Sequence, residues 1–402
     1  MPVSSDAAKP PRPQRVILLL SFAAFFSGAA LRVCDSLIPR LARDFSITPG
    51  TAGRVIISFS IAYGLMQLLF GPLGDRFGKA RMIGLAMFGC AVAALACAFA
   101  PGFDSLVALR VVWGMGAAGV IPLSMALIGD MVPYDQRQAT LARLLTGILS
   151  GMMAGQLAGG LFADSAPGWR GAFATLSVGY AIVAMMLATS MRGHHAAAQA
   201  SGKLAFIAQV RAVLAVRWSR VILVSVAIEG IFLLGPIAYL PAFLHERYSL
   251  SLAAASALVA LYAVGGLVYA MAAKRLVRDW GERRMVLAGG VLMGAAFLLL
   301  WAVPTWLAAG PLALVLGFGT YLYHNTLQTH ATQMAPQVRG TAVASFAFCL
   351  FAGQALGVSL SGAVLDRLGF PLLLVAPGLV LPVAAAWLAR ALAARGAVDP
   401  GA

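Results

Sequence analysis

Charge is what this chain has least of. Asp, Glu, Lys and Arg make up 11% of its 402 residues, against about 25% in soluble domains. That is too little to coat a water-facing surface, so a soluble globular fold is excluded. Cysteine is scarce too. Cys34, Cys90, Cys97 and Cys349 all fall inside apolar runs, with neither metal-ligand spacing nor a disulfide framework. They read as small packing residues. There is no Walker loop, no dinucleotide fingerprint and no nucleophile with an oriented base. No polar stretch is long enough for an ATPase domain. Neither an enzyme nor a bound metal or cofactor is expected. What is abundant is apolar: 61% of the residues. Disorder needs the opposite. The apolar runs are also about twice the roughly ten residues of a membrane β-strand. An all-α polytopic membrane protein remains.

Acid is scarcer than base, which leaves a net charge of +15. Nucleic-acid binding would require those cations on one face or stripe. Here they sit in short gaps between apolar runs, as orientation signals do, so no nucleic-acid partner is expected. A helix needs about 20 apolar residues to cross a bilayer. That rule marks spans near 16–38, 51–73, 82–100, 105–130, 138–163 and 171–191. Six more lie near 219–243, 252–273, 285–303, 307–333, 341–365 and 371–394. The polar start, with Lys9, Arg12 and Arg15, precedes a run without a cleavage site, so Val16 opens a first helix rather than a removable signal. The longest polar gap, Arg192 to Trp218, holds His194, His195, Lys203, Arg211 and Arg217. The chain thus divides into an N-terminal six-helix half (1–191), a cytoplasmic linker (192–218) and a C-terminal six-helix half (219–402). With the N-terminus inside, inner segments carry 21 basic residues and outer ones 6. Both termini are therefore expected in the cytoplasm.

The halves repeat each other at an offset of 202. Pro39 matches Pro241, Arg137 matches Arg339, and Asp164 matches Asp366. Gly151, Gly155 and Gly160 match Gly353, Gly357 and Gly362. At 203, Gly78-Lys79-Ala80-Arg81-Met82 matches Gly281-Glu282-Arg283-Arg284-Met285. Two repeated halves are a transporter architecture, with substrate bound near the midplane between them.

Between the second and third spans stands Gly71-Pro72-Leu73-Gly74-Asp75-Arg76-Phe77-Gly78-Lys79-Ala80-Arg81. With it the chain resembles the major facilitator superfamily over nearly its whole length. The resemblance implies twelve transmembrane helices in two pseudo-repeated halves that rock about a cavity lined by helices one, four, seven and ten. It implies an inner gate as well. Asp75 is to meet the N-terminal end of the eleventh helix near Thr341, and Lys79 is to pair with Asp130, with Arg76 and Arg137 alongside. A carboxylate at a helix N-terminus is favourable by about 0.3–1 kcal/mol. Arg110, followed by Gly114 and Gly116, matches the family's buried-arginine motif of proton-coupled members. A plain arginine snorkelling to the outer surface is the alternative. Gly151, Gly155, Gly159 and Gly160 are similar to the family's antiporter motif, with Gln156 where that motif has Pro. The change removes the expected kink, and simple small-residue helix packing accounts for the glycines equally well.

Arg32-Val33-Cys34-Asp35 ahead of Pro39 resembles the first helix of multidrug/proton antiporters, where the acid binds proton and substrate. Arg32 and Asp35 are three apart and can pair on one helix face. Glu229 lies mid-span in the repeat partner of that helix, a lone acid at a depth where charge is expensive. In the tenth span, Tyr321, Asn325, Gln328 and Thr332 recur along one face, which lipid would not tolerate. That face should line the cavity, with His324 as a candidate proton carrier. Together these imply a monomeric secondary transporter of a bacterial inner membrane. Its partners are a small organic molecule, protons and the bilayer, and its action is proton-coupled efflux. A symporter or uniporter importing a metabolite is the first alternative, and a non-transporting sensor or channel the second.

Overall fold

The computed structural model describes residues 13–190 and 206–398. Lys9, Arg12, His194, His195 and Lys203 lie outside them. No strand occurs among the described residues. Eleven helical stretches are long and apolar enough to span a membrane, and one of them is two helices joined at Gly281. The expected twelve therefore stand. They are α1 (Gln14–Asp44), α2 (Pro49–Phe77), α3 (Lys79–Ala98), α4 (Phe103–Met131), α5 (Gln136–Ala163) and α6 (Gly168–Ser190). After them come α7 (Arg217–Tyr248), α8 (252–280), α9 (282–302), α10 (Trp306–Ala331), α11 (Pro336–Leu368) and α12 (Phe370–Arg395). A short helix, Phe206–Ala215, lies in the linker. The helices overrun the expected spans because their polar ends continue the backbone ladder beyond the apolar run. α1, for instance, reaches Asp44, and Arg40 pairs with that residue at 2.8 Å.

The repeat is visible in backbone detail. The α2–α3 turn passes through Gly78 at φ +87° and the α8–α9 turn through Gly281 at φ +69°. Only glycine takes that conformation cheaply. Thr48 caps the start of α2 through Thr51 N–H, and Ser251 caps α8 through Ala254 N–H, each at 3.1 Å. The loop 71–81, the linker and the α8–α9 turn share one end of the bundle, called here the basic end.

α5 packs along α1 through its glycines. A Cβ at Gly151, Gly155 or Gly159 would strike the carbonyl oxygens of Phe25, Ala29 and Val33 in turn. Gly353 and Gly357 of α11 meet Ala227 and Ile231 of α7 in the same way, again at an offset of 202. At the end opposite the basic one, Gly160 abuts Ser256 of α8, and Gly362 abuts Gly50 of α2. The first six helices and the last six are pressed together there.

One departure is local. α7 winds as a π-helix over Gly230–Leu234, directly after Glu229. Gly235-Pro236 and Pro241 follow, and the backbone turns at 238–239 before resuming. Pro236 and Pro241 lack the N–H that a continuous α-ladder needs.

Candidate functional site

Between the two sets of six helices lies a cavity of about 290 Å³. Its wall tapers. Met125 and Leu145 at the mouth are 43% and 37% exposed, while Arg32, Tyr262 and Gln354 at depth are 6%, 7% and 3% exposed. Leu145 precedes Met152 on α5, which starts at the basic end, so the mouth faces that end and the far end is shut. Tyr63, Tyr321, Phe346 and Phe351 supply flat apolar surface, and Gln67, Gln328 and Gln354 supply amides.

Asp35 is fully buried one turn beyond Arg32, and Arg32 Nη1 donates to its Oδ2 at 3.2 Å. The other carboxylate oxygen, Oδ1, has no partner. The Arg32 guanidinium lies 5.8 Å from the centre of the Tyr262 ring. Across the cavity, Glu229 proves not to be a lone acid. His324 Nδ1 sits 2.9 and 3.0 Å from its two oxygens, a partnership between α7 and α10 that no spacing along the chain reveals. The π-turn directly after Glu229 is the kind of irregularity that recurs at functional sites.

Three expected cavity residues are placed elsewhere, the first being Asp35, which sits behind Arg32 and is not part of the wall. Asn325 donates to Tyr269 Oη of α8 at 2.9 Å, and Thr332 bonds back to Thr329 O. The lining face of α10 is Thr320, Tyr321, His324 and Gln328. Four residues turn a helix about 400°, so Asn325 is rotated off that face into the α8 contact. Arg110 does not line the cavity either, and it does not snorkel: it is 1% exposed. Its Nε donates to Val55 O at 3.1 Å, and its guanidinium lies 4.1 Å from the Phe59 ring centre and 4.8 Å from that of Trp113. Those aromatic faces stand in for an anion. Nη1 is left unpartnered, while the charge still acts on Asp35.

Gln156 does more than replace a proline. Its Nε2 donates to Ser36 Oγ at 2.7 Å, and Ser36 Oγ donates to Gln156 O at 3.0 Å. This clasp ties α5 to α1 one residue beyond Asp35, with α5 unbroken.

At the basic end, Lys79 Nζ meets Asp130 at 2.7 Å as expected, and Asp75 at 3.8 Å. Arg76 covers the Phe77 ring, and Arg137 Nε donates to Val132 O. The expected meeting of Asp75 with the start of α11 is not formed. Thr341 Oγ1 donates instead to Gln209 of the linker helix at 2.5 Å. With the cavity open at this end, the two sets of helices stand apart where that contact would be made.

The Major Facilitator Superfamily model matches residues 20–358, and again 238–400. The chain belongs to the major facilitator superfamily. It is a multi-pass membrane transporter of that family, whose members are generally not enzymes. Within the superfamily it is 22% identical over 338 residues to the uncharacterized MFS-type transporter YceJ of Bacillus subtilis, covering 84% of this chain and 86% of that one. It is 26% identical to a chloramphenicol resistance protein of Pseudomonas aeruginosa, over 83% and 80% of the two chains. Among solved structures, a D-xylose-proton symporter superposes with a TM-score of 0.75 at 16% identity, covering 94% of this chain and 96% of that one.

In this family setting, Asp75→Asn is expected to leave the protein folded and lower its transport severalfold, because a carboxylate at a helix N-terminus contributes about 0.3–1 kcal/mol. Asp130→Asn should do the same by freeing Lys79. Initial rates in proteoliposomes check it, and unchanged rates in both variants would reduce the motif to a topology signal.

Proposed function

We propose that this transporter expels small organic molecules, drug-like or metabolic, in exchange for protons, and that its basic end faces the cytoplasm of a bacterial cell. In this reading both termini are cytoplasmic and the monomer is the working unit. The observation that carries it is a buried acid that is joined to the cavity wall through Arg32 without lining the wall itself. Asp35 is buried, has one free oxygen and is paired with Arg32, which belongs to the cavity wall. Such a carboxylate exchanges a proton or a substrate contact at low structural cost. Glu229 with His324 forms a second titratable pair in the same wall, and Arg110 adds a fixed positive charge behind Asp35. Asp75, Lys79 and Asp130 would gate the cytoplasmic side.

The relatives lend weight to efflux: besides the chloramphenicol resistance protein, 125 residues are 31% identical to the multidrug export protein EmrB of Haemophilus influenzae. Import by symport is the second reading, favoured by Gln156 standing where the antiporter motif has proline. A thermal-shift screen of amphipathic compounds, followed by flux in proteoliposomes, tests both. Antiport predicts that an imposed pH gradient drives hits against the proton flow. Movement with the proton selects symport, and flux indifferent to pH gradient and protonophore overturns proton coupling.

A further inference from the structure

The end of the bundle opposite the cavity mouth is held shut by two aspartates that the transport reading leaves unused. Asp366 lies in the last turn of α11, and Asp164 follows the last residue of α5. Both reach across to the other set of six helices. Asp366 Oδ1 accepts Gly50 N–H at 2.9 Å, and its Oδ2 accepts Thr48 Oγ1 at 2.6 Å. Thr48 and Gly50 form the first turn of α2. Asp164 Oδ2 accepts Ala253 N–H at 2.7 Å, in the first turn of α8. The two contacts are mates under the repeat: Asp164 and Asp366 are 202 apart, and Gly50 and Ala253 are 203 apart. Each aspartate thus satisfies a helix-start N–H that its own helix cannot, and does so from the opposite half. The seat is tight, because a Cβ on Gly50 would overlap the Asp366 carboxylate and Gly362 O. Arg40 holds the neighbouring turn by donating to Ala163 O and Ser165 O at 3.1 and 3.0 Å.

We propose that Asp164 and Asp366 are a reciprocal latch that stabilises the conformer closed at this end, and that both contacts must break before the cavity opens there. A cap lent by one's own helix survives any rigid motion of that helix. A cap lent by the other half does not survive the halves rocking apart. The two aspartates and their three donors therefore gain their bonds in one state only, which is the condition for a contact to bias a conformational equilibrium. The latch is the counterpart of the expected Asp75 contact, which is not formed in this conformer. It rests on the alternating-access reading above.

A Ser256→Cys reporter tests it. Ser256 is buried against Gly160 in the same seam, so a polar maleimide reaches it only when that end opens. Met125→Cys reports the cavity mouth. Native cysteine labelling is subtracted using the parent protein. In nanodiscs, Asp164→Ala or Asp366→Ala should each raise Ser256→Cys labelling about fivefold, the typical worth of a helix cap. The double variant should raise it by about the product of the two, while Met125→Cys labelling falls or holds. Asn at either position keeps an accepting oxygen and should stay within about twofold of wild type. If the double Ala variant does not elute as folded protein, the single variants carry the comparison. Unchanged labelling in folded Ala variants overturns the latch, as does an Asn variant that labels as fast as Ala. Should labelling shift as expected while no screened compound shows counterflow, the latch stands and the substrate reading fails.

Discussion

The Asp35→Asn protein is expected to lose pH-driven flux altogether while still exchanging substrate down its gradient. Asn has nearly the size and shape of Asp and can keep an accepting oxygen toward Arg32, so the fold should survive. What it cannot do is bind and release a proton. On the proposed reading, a proton that neutralises Asp35 would free Arg32 to turn to a substrate or to the wall, and its loss would restore the pair at 3.2 Å. The driving force is adequate for one carboxylate. A proton moving down about 100 mV gains about 2.3 kcal/mol, and one pH unit adds about 1.4 kcal/mol. Together they sustain a gradient of several hundredfold for a neutral substrate at one-to-one exchange, since each 1.4 kcal/mol is tenfold. Proteoliposome flux with an imposed pH step, set beside counterflow without one, separates the two activities. If Asp35→Asn and Glu229→Gln each keep full pH-driven flux, proton coupling does not run through this cavity.

Gly151→Val should cost the protein its fold, or about 3 kcal/mol or more of stability. A Cβ there would overlap Phe25 O and lie 2.7 Å from Phe25 Cα, deep inside van der Waals contact. Those are backbone atoms that cannot rotate aside, so α1 and α5 must separate. Forcing extra carbon into a well-packed core costs about 1–3 kcal/mol even where side chains can yield. Gly84→Ala is the matched control. Nothing lies within 4 Å of a Cβ at Gly84, and an alanine in mid-helix gains about 1 kcal/mol over glycine. Monodisperse yield and melting temperature should fall for the first variant and hold or rise for the second. A wild-type melting temperature for Gly151→Val would mean that the helices are not in contact there.

Much of this was legible along the chain, and the reasons are physical. Bilayer thickness sets helix length, so the twelve spans could be counted from apolar runs. Gly78 and Gly281 stood out as repeat mates, and the left-handed backbone of both turns explains why glycine holds both places. Arg32 and Asp35 pair within one helix, where three residues of separation suffice to place them together. The Lys79–Asp130 pair came through the family motif, not through spacing. Contacts between helices distant in the chain were out of reach. Glu229 and His324 are 95 residues apart, and nothing in either run announces the other. Asn325 was misplaced because helical periodicity narrows a face only to within about one residue, and the α8 packing then decides. The matching of Asp164 with Asp366 was plain at the level of sequence. That each serves the opposite half appears only once the two halves are set against each other.

The taper of the cavity has a consequence for what can travel through it. A solute coming from the basic end passes from walls where Met125 and Leu145 still touch water to a chamber around Arg32 and Tyr262 that is almost dry. It must shed its hydration shell in instalments rather than at a single threshold. Aromatic rings, amides, the Arg32 guanidinium and the Glu229–His324 pair replace the lost water on the way. On the proposed reading, a molecule with two flat faces and a modest dipole would be compensated at each stage by those rings and amides. On that reading the gradient of wetness along the wall would act as a sieve on hydration energy, before any contact at the bottom reads the solute's shape.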